Sequence, residues 1–187
     1  MEKQILFLDT ETTGFGSDAR IVQIAWLIST MDGHELKSEN HVIKPVGFEI
    51  PEEATKIHGI TTQEAMDGGE DLEFVMLKFL ADLTGCELLV GHNISYDIRM
   101  VTYEFARIGA IYNFEMIQKV CTMNKSIDYC ALPSERKYYK KPKLQELHMK
   151  LFGEDFKDAH DAMGDVRATA KCYWKLKDLG IINPIIL

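Results

Sequence analysis

The apolar residues of this chain change their period after about residue 45, and that change limits the folds open to it. Three stretches within the first 44 positions read as strands: residues 4–8 (Gln-Ile-Leu-Phe-Leu), 20–29, rich in Ile, Val and Trp, and 34–44, closed by Pro45. Gly14 and Gly16 before the second run, and Asp32-Gly33 after it, are turn signals. Three strands on short connections predict an antiparallel meander. The spacing then becomes helical. Pro51-Glu52-Glu53 opens a short helix, since proline suits a first helical turn. Over 71–84, Leu72, Val75, Met76, Phe79, Leu80 and Leu83 recur at three-to-four spacing, which predicts an amphipathic helix. Leu88-Leu89-Val90 reads as a short buried strand, 96–109 as a helix ended by Gly109, and the residues around Val120 as a fifth strand. Two further helices are predicted at 144–152 and 161–179, the second ended by Gly180. Antiparallel strands followed by alternating helix and strand define an α/β chain with a mixed sheet.

Length and composition agree with one globular unit. The 187 residues correspond to a single domain spanning 1–187. At 46% hydrophobic and 27% charged residues, disorder, collagen and coiled coil are excluded as whole-chain readings. Cys86, Cys121, Cys130 and Cys172 form no Cys-x-x-Cys pair, so a zinc knuckle is not indicated. They read as reduced thiols, mostly core filler, in a cytoplasmic protein. Only four apolar residues precede Asp9, too few for a signal-peptide core, and no apolar run approaches the roughly 20 residues of a membrane span. No membrane partner is expected.

The net charge of −8 argues against a protein that simply coats nucleic acid, but not against a nucleic-acid enzyme with bound metal. The charge is also uneven. Residues 1–120 carry 9 basic against 20 acidic side chains, whereas 121–187 carry 12 against 9. The basic excess concentrates in Arg136, Lys137, Lys140, Lys141 and Lys143, interleaved with Tyr138 and Tyr139. Such a run is either a solvated loop or a contact for a phosphate backbone, with tyrosines able to stack on bases.

Three groups of carboxylates stand out. Asp9 and Glu11, two apart at the end of the first strand, face the same side. Like charges so placed repel unless a cation lies between them, and oxygen ligands suit magnesium or manganese. An ordinary strand-ending turn is the alternative. Asp97 follows a buried strand within His92-Asn93-Ile94-Ser95-Tyr96-Asp97, at the carboxyl end where α/β sheets place their chemistry. It is equally suited to a helix's first turn. His160-Asp161-Ala162-Met163-Gly164-Asp165 opens the last helix, with Asp161 as its cap and Asp165 one turn on. His160 then stands at the helix's positive end, which favours the neutral, proton-accepting imidazole. Taken singly, a loop histidine with a local hydrogen bond and a solvated helix Asp165 are the alternatives.

Together, Asp9-Thr10-Glu11-Thr12-Thr13-Gly14, Asn93-x-x-Tyr96-Asp97 and His160-x4-Asp165, in this order, resemble the three motifs of the DEDDh (DnaQ-like) 3′-to-5′ exonucleases. That family includes the epsilon proofreading subunit of bacterial DNA polymerase III, RNase T and oligoribonuclease. Ile57-His58-Gly59-Ile60-Thr61 and Lys143-Leu144-Gln145-Glu146-Leu147 also look like family segments, and the likeness covers residues 4–178. The sister group carries a tyrosine four residues before the last aspartate. Here that position is Asp161, with His160 five before, so the histidine type is resembled.

The resemblance implies an RNase H-like fold with a five-stranded mixed sheet flanked by helices. It implies a metal-dependent 3′-to-5′ exonuclease that releases 5′-nucleoside monophosphates from single-stranded DNA ends. Asp9, Glu11, Asp97 and Asp165 would hold two divalent ions, Mg2+ or Mn2+, with His160 as general base. Thr12, Thr13, His58 and Asn93 would meet the substrate, Phe15 would serve as a stacking wedge or pack in its loop, and Lys140 and Lys141 would contact the strand upstream. RNA trimming of the RNase T or oligoribonuclease kind stays open, because telling RNA from DNA rests on contacts to one hydroxyl. A nonenzymatic module on the same fold would be marked by a missing carboxylate or His160, and none is missing. A polymerase partner is not evident. The apolar tail Ile181–Leu187 either packs on the body or mediates self-association into a homo-oligomer.

Overall fold

Two near-continuous apolar runs, residues 5–8 and 21–28, build the centre of the sheet. The computed structural model describes residues 3–135, 137–157 and 159–183. Strands β1 (Gln4–Thr12), β2 (Ile21–Thr30) and β3 (Glu35–Val42) form the expected antiparallel meander. Helices α1 (Glu52–His58), α2 (Thr62–Gly68) and α3 (Leu72–Thr84) follow, then β4 (Leu88–Gly91) and α4 (Ile94–Arg107). A 3₁₀ turn at Phe114–Met116 leads into β5 (Gln118–Cys121) and two four-residue helices, α5 (Thr122–Lys125) and α6 (Ile127–Cys130). Helices α7 (Leu144–Phe152) and α8 (Ala162–Asp178) complete the order. Five strands lie side by side as β3-β2-β1-β4-β5, with β4 and β5 parallel to β1. This is the expected five-stranded mixed sheet of RNase H-like form.

Side chains on a strand alternate between faces, and β1 shows what this achieves. Leu6 and Leu8 join Ile24, Trp26 and Ile28 in a core beneath α3 and α4. Ile5 and Phe7 join Ala25 and Leu27 in a second core beneath α7 and α8. A third, smaller core of Val22, Ile50, Ala54 and Ala65 lies under α1 and α2. Cys86, Cys130 and Cys172 are buried and all four cysteines are free thiols, as expected of core filler.

Two departures from the expectations have local causes. The first strand runs to Thr12 rather than ending at Leu8, because the hydrogen-bonded ladder with β2 outlasts the apolar run. Helix α2 was not expected. Its polar sequence hides the period, but Thr61 and Glu64 form a reciprocal capping box that starts it. Of the tail, Ile182 is buried and its N–H donates to the Leu176 carbonyl. Residues 184–187, on which the self-association expectation also rests, lie outside the described residues, as does Arg136. Among the described residues, no helix is long and apolar enough to cross a membrane.

The first core depends on one aromatic. Phe79 is fully buried, 5.3 Å edge-on from Trp26 and 6.3 Å from Phe105. Phe79→Ala is expected to lower the unfolding free energy by about 3–5 kcal/mol, the usual range for a buried phenylalanine. Urea denaturation reads this as a lower midpoint at unchanged slope. A loss under about 1 kcal/mol would mean that the core collapses around the gap.

Candidate active site

The site forms where β1 and β4 end and where α4 and α8 begin. Alternation carries Asp9 and Glu11 onto the face covered by α8, in step with Ile5 and Phe7. The β1–β2 register slips between Glu11 and Thr12, where β2 bulges by one extra residue, Val22. Such bulges re-aim side chains. Asp97 arrives from the opposite layer, in the first turn of α4. Thr10, on that other face, donates its hydroxyl to Asp97 Oδ1 at 2.8 Å. Gly91 makes the turn from β4 to α4 possible, since a Cβ there would lie 2.7 Å from Ile94 Cδ1 and 3.1 Å from the Leu8 carbonyl oxygen. Asp165 comes from the first turn of α8, capped by Asp161, whose Oδ2 accepts from the Gly164 N–H at 3.1 Å.

Glu11, His160 and Asp165 each offer a ligand atom within 4.8 Å of the others. Asp9 feels the charges of Asp97, Asp165, Glu11 and Asp161, which puts it amid the same cluster. Burial drives the Glu11 carboxyl up to about 8, and Asp165, Asp97 and Asp161 add to it. Burial raises Asp97 to about 7 against the lowering hydrogen bonds from the Thr10 hydroxyl and backbone amides. Burial likewise raises Asp165 to about 7, opposed by the His160 backbone N–H. Asp9 lies well above the usual carboxylate range, through burial first and its four acidic neighbours next. Asp165 Oδ1 is buried without a hydrogen-bond partner. An oxygen-rich set with a waiting buried lone pair fits a hard divalent cation.

Beside Glu11 opens a pocket of about 320 Å³, lined by Thr12, Thr13, Phe15, Ile57, His58 and Tyr96 among others. The Tyr96 hydroxyl donates to the Gly14 carbonyl at 2.8 Å and hydrogen-bonds Thr12 Oγ1. His58 Nδ1 accepts from the Ile60 N–H at 3.1 Å, so its proton sits on Nε2, which is buried without a partner. Burial keeps His58 below the ordinary histidine pKa. Phe15 is 90% exposed and touches Tyr96 edge-on at 5.7 Å.

Not every expected residue gathers here. Asn93 is exposed, caps α4 without a side-chain hydrogen bond and does not line the pocket. Its backbone is left-handed at φ 73, as is that of His160 at φ 68, an uncommon state for residues other than glycine. Lys140 and Lys141 line a separate hollow with Tyr138 and Tyr139. Lys140 is also paired with Glu146 at 2.6 Å, so part of the basic excess is answered within the chain. That segment is nonetheless tied to the site. His92 bridges Thr122 Oγ1 and the Pro142 carbonyl, both at 3.0 Å, and Gln145 Nε2 lies 3.5 Å from His160 Nε2. The hydrogen bonds of Thr10 and His92 have no signal in residue spacing, because each depends on which helix or loop lies opposite.

The sheet thus delivers acids from both of its layers to one point. The RNase_T family, described as exonuclease, matches residues 6–173, and the chain belongs to that exonuclease family. The uncharacterized exonuclease CP81 of Escherichia phage 186 is 31% identical over 194 residues, covering 99% of this chain and 89% of the phage protein. DNA polymerase III subunit epsilon of Pasteurella multocida (strain Pm70) is 31% identical over 119 residues, 60% of this chain and 46% of that protein. Escherichia coli exonuclease I, solved in complex with a dT13 oligonucleotide, superposes with a TM-score of 0.80 at 22% identity. That match covers 96% of this chain but 42% of exonuclease I, and at such identity it speaks for the fold alone.

The raised carboxyls set a sign for stability. Without a cation, these acids hold protons in the folded state up to about 7–8, whereas unfolded acids release them near 4. The folded form therefore binds more protons between those limits, and stability falls as pH rises from about 4 to 8. Metal-free protein should melt at a lower temperature at pH 8 than at pH 5. Glu11→Gln should raise the pH 8 value and flatten the slope. A melting temperature that climbs over this interval would mean that the cluster is not under mutual repulsion.

Proposed function

We propose that this chain is a metal-dependent 3′-to-5′ exonuclease that acts on single-stranded DNA ends and releases 5′-nucleoside monophosphates. The observation that carries the reading is that Glu11 belongs both to the close group with His160 and Asp165 and to the wall of the neighbouring pocket. A terminal nucleotide in that pocket would present its phosphate to the acids. The RNase_T family match and the exonuclease relatives support hydrolysis, and the likeness to DNA polymerase III subunit epsilon favours DNA as the substrate class. All three cores share one sheet, which supports reading 1–187 as a single exonuclease domain.

Asp9, Glu11, Asp97 and Asp165 would hold two divalent cations, Mg2+ or Mn2+, which when bound would supply water activation and neutralise charge on the leaving 3′ oxygen. His160, exposed at the rim, accepts a proton from the attacking water as general base. Its backbone is left-handed just before α8, and Gln145 Nε2 lies 3.5 Å from its Nε2. Thr12, Thr13 and His58 hold the terminal nucleotide, with the free Nε2–H of His58 as a donor, while Phe15 and Tyr96 offer aromatic faces to its base. Tyr138, Tyr139, Lys140 and Lys141 lie along the strand upstream. A paired 3′ end must first unstack, at a few kcal/mol per base, and a mismatched end costs less. That difference alone would make trimming favour mispaired ends, as the likeness to epsilon suggests.

Purified protein with Mg2+ or Mn2+ should shorten a linear single strand and leave a covalently closed single-stranded circle intact, and chelator should stop it. Cleavage of the circle at the linear rate would make it an endonuclease. Full activity in excess chelator would sink the metal-dependent reading. A matched RNA strand degraded faster than DNA would move the substrate class to RNA.

His160→Ala should cost roughly 10²–10⁴ in kcat, the range for one acid–base group, with oligonucleotide affinity retained. Fluorescence anisotropy and steady-state rates separate the two effects. An unchanged kcat would remove His160 from proton transfer.

A further inference from the structure

Gln23 lies on β2 directly opposite Glu11 in the ladder, and it is only 4% exposed. A glutamine buried between a sheet and a helix needs partners, and this one has all of them. Its Nε2 donates to Asp161 Oδ1 at 2.8 Å and to Asn40 Oδ1 at 3.0 Å. Its Oε1 accepts from the Ala162 N–H at 3.2 Å. Two of these three bonds grip the cap and first residue of α8, the helix that follows His160 and carries Asp165. The contact spans 138 residues of chain.

We propose that Gln23 is a positioning residue for the nuclease centre, a clamp that holds the first turn of α8 on β2 and sets His160 and Asp165 against Glu11. The inference rests on the exonuclease reading above. Two physical arguments support it. His160 has a left-handed backbone just ahead of the helix, a state that persists only when its surroundings enforce it. The Gln23 bonds to Asp161 and Ala162, one and two residues on, would supply that enforcement. Further, Asp161 lies close enough for its charge to act on Asp9, Glu11 and Asp165. With Oδ1 occupied by Gln23 and Oδ2 by the Gly164 N–H, Asp161 is spent on structure and cannot turn to compete for the cations.

The polarity of the clamp can be reversed, which provides the test. Gln23→Glu keeps an acceptor for the Ala162 N–H but sets a carboxylate against Asp161. Asp161→Asn puts an amide where Gln23 donates and Gly164 requires an acceptor. Together they fit, since the new amide can donate to the new carboxylate and still cap through its oxygen. Each single variant should lose roughly 10–100-fold in kcat or in Mn2+ affinity, the usual loss when a group orienting a metal ligand is removed. The double variant should regain most of it, so that the losses are strongly non-additive. Amide hydrogen exchange in metal-free protein gives a readout independent of catalysis. The Ala162 and Gly164 amides should exchange faster in Gln23→Glu and in Gln23→Met, and recover in the double variant. Wild-type exchange and wild-type Mn2+ affinity in Gln23→Met, or additive losses in the double variant, would overturn the clamp. An inactive wild-type protein would instead overturn the exonuclease reading, while exchange and Mn2+ titration would still decide the role of Gln23.

Discussion

Four carboxylates that would each be easier to keep apart are held together at one end of this sheet, and much of the architecture follows from that repulsion. Burial alone drives Glu11, Asp97 and Asp165 toward the protonated form, and their mutual charges push further in the same direction. A chain free to relax would turn these side chains outward to water. Here a strand bulge, a buried threonine hydroxyl and two helix starts prevent it. Asp97 and Asp165 each occupy the first turn of a long helix, where aligned peptide dipoles favour negative charge. That contribution lessens the repulsion without removing it, and a divalent cation would complete the balance.

The two-faced sheet makes the convergence possible. A single helix layer could bring one acid to Asp9 and Glu11. The second must come around the end of the sheet from the other layer, because α4 packs on the face occupied by Leu6 and Leu8. The crossing occurs at the short strand β4, whose parallel pairing to β1 puts its carboxyl end beside that of β1. The Thr10–Asp97 hydrogen bond joins the layers at this point. Even and odd residues of one nine-residue strand thus supply, respectively, the hook for Asp97 and two of the acids.

Much of this was legible in sequence for a physical reason. Long apolar runs at period two or three to four report burial directly, so β2, α3, α7 and α8 were found within a residue or two. The acids of the site were legible because three motifs in order resemble those of an exonuclease family, whereas each acid alone also suits a turn or a helix's first turn. What sequence hid was pairing at a distance. Gln23 sits in an apolar strand as an unremarkable polar residue, and only the approach of α8 gives it three bonds. His92 was readable as part of a motif, but not as the tie that holds Pro142 and the basic segment after β5. The basic run itself overstated its free charge, because Lys140 is answered by Glu146 from the following helix.

The loop that presents Phe15 is secured by the same economy of buried charge. Glu104, fully buried on α4, accepts at Oε1 from Arg20 Nε and the Ile21 N–H, both at 3.0 Å, and pairs with Arg107 at 3.1 Å. Arg107 also donates to the Ser17 carbonyl at 3.1 Å, and the Arg20 guanidinium lies 4.4 Å over the Phe48 ring. Thr13 and Arg20 close the loop with two bonds of 2.9 Å. A buried ion pair of this kind contributes little net stability, since desolvation offsets most of the attraction. It does fix geometry. The loop is thereby held at its base and along one side, and only its tip stands in water. The aromatic ring exposed on this firmly held tip therefore stands in a fixed place beside a pocket that shares Glu11 with the acid cluster.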